Sequence, residues 1–336
     1  MRDELITKLQ NHNTLTEDEC FEVANDISRL LNSTEESLKQ NGRNFIIRLL
    51  DNWNNISESY RTIFIDLISA AGFYPYLKKL EITNQDLGDE IRFEHHKSHY
   101  LPNKYFHSEQ KRLADLIERQ VNVIVSAPTS FGKSMLIEEI VASRKYNNVV
   151  IIQPTLALLD ETRRKLKRYS EYYKIIVKTS QNYSDDKGNI FLLTAERVLE
   201  YPRMPQIDLL ILDEFYKLSS KRGDNRNNIL NTAFIRVMEN PNCKFYMLGP
   251  NIDAIPEGFV EKYNAVFYRT DFSMVITDTD NQYESVHIKR GGKVSEEDIF
   301  SVLDGLNEQT LIYCSSPKTA RNLAFAYCER LISRGV

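Results

Sequence analysis

The stretch Val121-Asn-Val-Ile-Val-Ser-Ala-Pro-Thr-Ser-Phe-Gly-Lys-Ser134 decides the fold. Its first half is an apolar, β-branched run that reads as a buried strand. Its second half breaks into a short loop, after which Met135-Leu-Ile-Glu-Glu-Ile-Val-Ala142 resumes with apolar residues at helical spacing. Strand, loop and helix in this order make a phosphate-binding loop. Gly132 lets the backbone come close to phosphate oxygens, while successive N–H groups and the start of the helix supply positive potential. Lys133 has the reach for β- and γ-phosphates, and Ser134 has the hydroxyl for Mg2+. The candidate nucleotide-binding residues are therefore Ala127, Pro128, Thr129, Ser130, Phe131, Gly132, Lys133 and Ser134, and the expected ligand is a nucleoside triphosphate. Ala127 stands where the pattern G-x-x-x-x-G-K-[ST] has its first glycine.

A second aliphatic run, Asp208-Leu-Leu-Ile-Leu-Asp213-Glu214, ends in adjacent carboxylates. Buried parallel strands place their ligand crevice at such carboxyl ends. Transfer of a phosphoryl group to water needs a metal clamp and a positioned base. Asp213 is read as the Mg2+ ligand with Ser134, and Glu214 as the residue that orients and deprotonates the attacking water.

Composition excludes several other classes. With 336 residues, 42% hydrophobic and 27% charged, the chain has material for two or three domains with their own cores. A net charge of −4 argues against a broadly basic nucleic-acid coat but leaves room for a local positive groove. No apolar run is long enough to cross a bilayer, and no signal-peptide pattern opens the sequence, so a cytoplasmic location without membrane contact is expected. Cys20, Cys243, Cys314 and Cys328 lack metal-ligand spacing and read as reduced thiols. His95, His96, His99 and His107 crowd one stretch without a cysteine, and read as an exposed domain junction rather than a metal site.

Residues 1–95 carry helix signals. Thr16 with Glu19 forms a capping box before an apolar-periodic run, Asn41-Gly42 reads as a break, and the segments Phe45 to Trp53 and Tyr60 to Ala71 read as amphipathic helices. This makes a small helical domain, open to a protein partner. Residues 96–280 alternate short aliphatic strands with helical segments, the strands being 121–125, 149–152, 175–177, 190–193, 209–212 and 245–248. Such alternation predicts an α/β fold, a parallel sheet with helices on both faces. Gly291-Gly292 and Lys293 to Asp298 mark a linker over 281–297. Thr310 to Pro317 then opens a further strand-turn-helix, so that 298–336 reads as the start of a second, incomplete α/β domain.

The residues between and around the two motifs resemble those of a superfamily 2 DExD/H-box helicase, of the DExH type. Ala127-Pro-Thr129-Ser130-Phe-Gly132-Lys133-Ser134 is similar to that family's A-x-T-G-x-G-K-[ST] loop and departs from it at Ser130. Gln110 and Phe106 stand where the family has its adenine-reading glutamine and a stacking aromatic. Gln153-Pro154-Thr155 resembles motif Ia, Thr194-Ala-Glu196-Arg197 motif Ib, Asp213-Glu214-Phe-Tyr216 the DExH box, and Leu311-Ile-Tyr-Cys314-Ser315 motif IV. Leu248-Gly-Pro-Asn251, at the place of motif III, lacks the usual hydroxyls, and Lys217 to Gly223 is closer to DExH than to DEAD-box sequences.

The resemblance implies a RecA-like first motor domain with ATP and Mg2+ as cofactors. It also implies single-stranded or duplex nucleic acid as partner, gripped at its phosphates by Pro154, Thr155, Arg163, Thr194 and Arg197. The expected function is an ATP-dependent helicase or translocase, nearly inactive as this chain alone because a second motor domain must supply an arginine. A nucleotide-gated scaffold and a double-strand translocase are the alternatives. The helical domain points weakly to bacterial defence or repair.

Overall fold

The computed structural model describes residues 5, 7–9, 11, 13–80, 87–218, 226–250, 252–277, 288–289, 293–306 and 310–335. They fall into two compact units, Met1–Ile276 and Thr277–Val336.

The first unit is built on a seven-stranded sheet. Its strands are β1 (Asn122–Ser126), β2 (Asn148–Ile152), β3 (Tyr173–Ile176), β4 (Gly188–Leu193), β5 (Leu209–Asp213), β6 (Lys244–Gly249) and β7 (Ala265–Arg269). They lie in the order β3-β4-β2-β5-β6-β1-β7, and every pairing is parallel. The strands read as continuous aliphatic runs because both faces are covered. Val123, Ile151, Ile211 and Tyr246 point into one apolar layer, under the helices Ser108–Glu118, Lys133–Ala142 and Leu156–Leu166. Ile124, Val150, Leu212 and Met247 point into the other, under Arg226–Val237 and Glu257–Tyr263. Strand β7 has no counterpart in the sequence-based reading. Its Val266 is 36% exposed, and partial exposure at a sheet edge weakens the apolar signal.

The helices Glu17–Leu31, Glu36–Asp51, Glu58–Ala70 and Tyr74–Lys79 share a separate core centred on Ile27, Leu49, Phe64 and Phe73, and Phe272 from beyond β7 completes it. Thr16 and Glu19 form the expected reciprocal cap. The expected break at Asn41-Gly42 does not occur: one helix runs from Glu36 to Asp51. Gly42 is there for proximity, since a Cβ on it would lie 3.1 Å from Leu30 Cβ and 3.1 Å from Leu31 Cδ2. The missing side chain lets two helices touch. The histidine stretch is also not uniformly exposed, since His107 is fully buried.

In the second unit Ile288–Lys289 and Lys293–Val294 pair antiparallel, and the helices Glu296–Asp304 and Pro317–Ser333 follow. The segment expected as linker over 281–297 thus carries secondary structure at its described end, while Gly291-Gly292 lies outside the described residues. Arg330 and Arg334 each reach Asp304 at 2.7 Å, and Phe300 packs on Tyr327 with centroids 5.4 Å apart. Residues 310–314 form no strand. Leu311 and Tyr313 are 98% and 94% exposed, and among the described residues no strand lies beside them to complete a ladder. The helix after them forms as expected, capped by Ser316.

Candidate nucleotide-binding site

Strand β6 separates β1 from β5 in the sheet, so the loop after β1 and the carboxylates after β5 meet across the end of β6. The loop leaves β1 with Ala127 N–H donating to Gly249 O of β6 at 3.0 Å. It passes through a tight turn at Thr129–Phe131 and a left-handed Gly132 (φ 80°) into the helix Lys133–Ala142. Phe131 is buried in the core and anchors the turn. Gly132 is obligatory twice over: its φ suits glycine, and a Cβ would sit 2.4 Å from Gln110 Nε2.

A cleft of about 210 Å3 opens here, lined by Thr129, Gly132, Lys133, Ser134, Gln153 and Asp213 among others. Lys133 Nζ folds back and donates to Ala127 O and Pro128 O, both at 2.9 Å. Burial pushes its pKa below the usual lysine value, against the raising influence of Asp213 and Glu214. Asp213 has its pKa raised by burial, and the Gln153 hydrogen bond works in the opposite direction. Its Oδ2 accepts from Gln153 Nε2 at 3.2 Å and its Oδ1 from Glu214 N–H at 3.0 Å. Glu214 has a left-handed backbone (φ 56°), uncommon for a residue with a side chain, and its carboxylate pairs with Lys217. The hydroxyl of Ser134 and the carboxylate of Asp213 are hard oxygen donors on one cleft, a donor set that fits a magnesium ion.

Two expected base contacts are corrected. Phe106 is fully buried within the apolar core and presents no ring to a base. Gln110 is 2% exposed, and both ends of its amide serve the chain itself. Its Oε1 accepts from His107 N–H at 3.2 Å, and its Nε2 donates to Phe131 O at 2.9 Å. Gln110 thus shapes the phosphate loop from behind. Sequence spacing located the pair but could not show which way the side chains face.

His107 completes this support. Its Nδ1 accepts from Gln110 N–H at 3.2 Å, which leaves the proton on Nε2, 3.1 Å from Phe131 O. Burial holds its pKa down to about 3 against the Phe131 hydrogen bond, so the ring is neutral. Phe272 stacks on it at 4.4 Å, and the Arg43 guanidinium covers Phe272 at 4.6 Å. Sequence reading missed this role; a histidine directly before the Ser108 helix, in a capping position, was the available signal. Ser130 Oγ lies 3.2 Å from Ser273 Oγ, a second link between the loop and the segment after β7.

Thr155 and Thr194 are neighbours because β2 pairs with β4, and Gln153 N–H donates to Leu193 O at 3.3 Å. Each caps its helix, Thr155 accepting from Leu158 N–H and Thr194 from Arg197 N–H. Pro154 lies half-buried beside them. Arg197 is turned inward onto Val177 O at 3.0 Å. Arg163 lies about 12 Å along its helix from Thr155, exposed and beside Asp160. Tyr216 packs near Gly249, whose added Cβ would be 3.4 Å from Tyr216 Cδ1. Asn251 and residues 219–223 lie outside the described residues.

A parallel sheet with a phosphate loop after β1 and an acidic pair at the end of β5 is the arrangement of a RecA-like nucleotide-binding domain. Residues 107–248 match the DEAD/DEAH box helicase family model. Residues 1–90 match the Anti-bacteriophage protein B N-terminal domain. Among curated proteins the chain is similar to Anti-bacteriophage protein B of Escherichia coli (strain K12), 33% identical over 289 residues, which is 83% of this chain and 38% of that protein. The chain therefore spans under two fifths of its relative. Among solved structures it is similar to a hypothetical ATP-dependent RNA helicase from Sulfolobus tokodaii, 19% identical, covering 50% of this chain and 53% of that one with TM-score 0.38. It is also similar to the DUF1998 helicase MrfA, 12% identical, covering 68% and 39% with TM-score 0.45. Among the described residues no helix is long and apolar enough to cross a membrane.

Proposed function

We propose that this chain is the ATP-binding part of a nucleic-acid-dependent helicase or translocase, and that the whole protein serves in defence against bacteriophage. The observation that carries the reading is the convergence of Gly132-Lys133-Ser134 and Asp213 on one cleft, with Glu214 next in sequence to Asp213. The defence role is taken from the similarity to Anti-bacteriophage protein B. Residues 1–95 are read as a specialised helical domain, 96–280 as the first motor domain and 298–336 as the start of a second.

In this reading Lys133 exchanges the carbonyls of Ala127 and Pro128 for phosphate oxygens when the nucleotide binds. Ser134 and Asp213 would hold the magnesium ion, which supplies charge neutralisation when bound. Glu214 leaves Lys217 and accepts the proton of the attacking water on a carboxylate oxygen. Thr155 and Thr194 sit at adjacent helix starts, where backbone N–H groups favour the phosphates of a single strand without reading its bases. A protein extended to the relative's length should hydrolyse ATP faster with single-stranded DNA, single-stranded RNA or duplex than without. ATP turnover indifferent to all three would sink the motor reading.

A further inference from the structure

Gln153 follows β2, and the register Ile152 to Leu212 sets it beside Asp213 at the end of β5. Its Nε2 donates to Asp213 Oδ2 at 3.2 Å. That bond fixes the orientation of the amide, because the reverse would set two acceptor oxygens against each other. The other end, Oε1, is buried and has no hydrogen-bond partner among the described residues. Gln153 is 3% exposed and lines the same cleft as Ser134 and Asp213.

An orphaned buried carbonyl costs about 1–3 kcal/mol, so a glutamine here is a poor choice for packing alone. An aliphatic residue would end the strand Asn148–Ile152 without that cost. The cost is removed if a donor from outside the chain completes the amide, and a water held by a cation has two strong donors. The Asp213 carboxylate spends one acceptor site on Gln153 and one on Glu214 N–H, leaving others for the metal's water.

We propose that Gln153 is a positioning residue of the metal site: its Nε2 fixes the Asp213 carboxylate, and its Oε1 accepts a hydrogen bond from a water of the bound magnesium ion. This rests on the nucleotide-and-metal reading above. Partners one step beyond the ligands set a metal's affinity by about 10- to 100-fold.

The test measures binding of a fluorescent ATP analogue to the 336-residue chain, with Mg2+ and with a chelator. Gln153→Met, close in shape but without amide chemistry, should lose about 10-fold in the gain that Mg2+ gives, with chelator affinity unchanged. Gln153→Asn, one methylene short, should give the same loss. In an Asp213→Asn background Gln153→Met should change the Mg2+ gain less than about 2-fold, since its target is gone. If the wild-type chain shows the Mg2+ gain and both Gln153 variants keep it, the inference fails and the nucleotide reading stands. Equal losses with and without Mg2+ would also overturn it, showing only a damaged cleft. A wild-type chain that binds no nucleotide would remove both.

Discussion

His107 and Phe131 are joined by one hydrogen bond between the start of the Ser108 helix and the phosphate loop, His107 Nε2 lying 3.1 Å from Phe131 O. The same ring is stacked on Phe272, which belongs to the core of the N-terminal helices. The loop is therefore held from behind by a side chain that the helical layer also grips.

This linkage gives a pH-dependent stability. An ordinary histidine titrates near 6.5 and His107 near 3, because burial disfavours the cation. Its contribution is whole above pH 6.5 and falls as the pH drops from 6.5 toward 3, where the unfolded chain binds the proton and the folded chain does not. At about 1.4 kcal/mol per pH unit, the advantage of wild type over His107→Asn should narrow by about 2 kcal/mol between pH 7 and pH 5. Urea unfolding at both values reads this. A constant difference would mean His107 is not held neutral.

Lys133→Ala should weaken ATP binding by at least 10-fold, while Glu214→Gln should bind ATP as wild type does and lose turnover in the extended protein. Lysine contacts phosphate in both ground and transition states; the glutamate acts only on the water. Calorimetry beside a steady-state ATPase assay separates the two. Equal loss of affinity in both variants contradicts the assignment.

Glu214 also carries backbone strain at φ 56°. Glu214→Gly should stabilise the chain by about 1 kcal/mol, offset in part by unfolded-chain entropy, and should abolish hydrolysis. Removing the half-buried, solvent-screened pair with Lys217 matters little. A chemical melt in which the glycine variant is less stable than Glu214→Gln would show that the left-handed backbone is no burden.

If single strands lie across the edge at Thr155 and Thr194, nearby exposed cations should contribute by charge. Arg163→Ala should weaken binding of any single strand by a similar factor and lower the slope of log affinity against log salt by about 1. Titrations of homopolymers at several salt concentrations measure this. Loss confined to one base sequence would speak for base contact instead.

Much of the fold was legible because local chemistry wrote it. A buried parallel strand must be aliphatic on both faces, so Asn122–Ser126 and Leu209–Asp213 announce themselves. A phosphate loop needs glycine, lysine and a hydroxyl in consecutive places, and a helix start needs a cap, which Thr16 provides. Where a residue's role depends on neighbours distant in sequence, the pattern was silent or misleading. Gly42 resembles a helix breaker, yet it is the contact point of two helices, and only packing tells the cases apart. Residues 310–314 have strand chemistry but, among the described residues, no strand beside them.

The sequence by itself determined the parallel α/β class, the loop Ala127 to Ser134 and the acidic pair Asp213-Glu214, because each depends on spacing along the chain. Tertiary structure decided that Gln153 touches Asp213, that Gln110 and His107 brace the loop and that Phe106 is core. Strand order and side-chain direction bring about those contacts across up to 60 residues of chain. They are set by which buried surfaces fit together, and no local pattern encodes that.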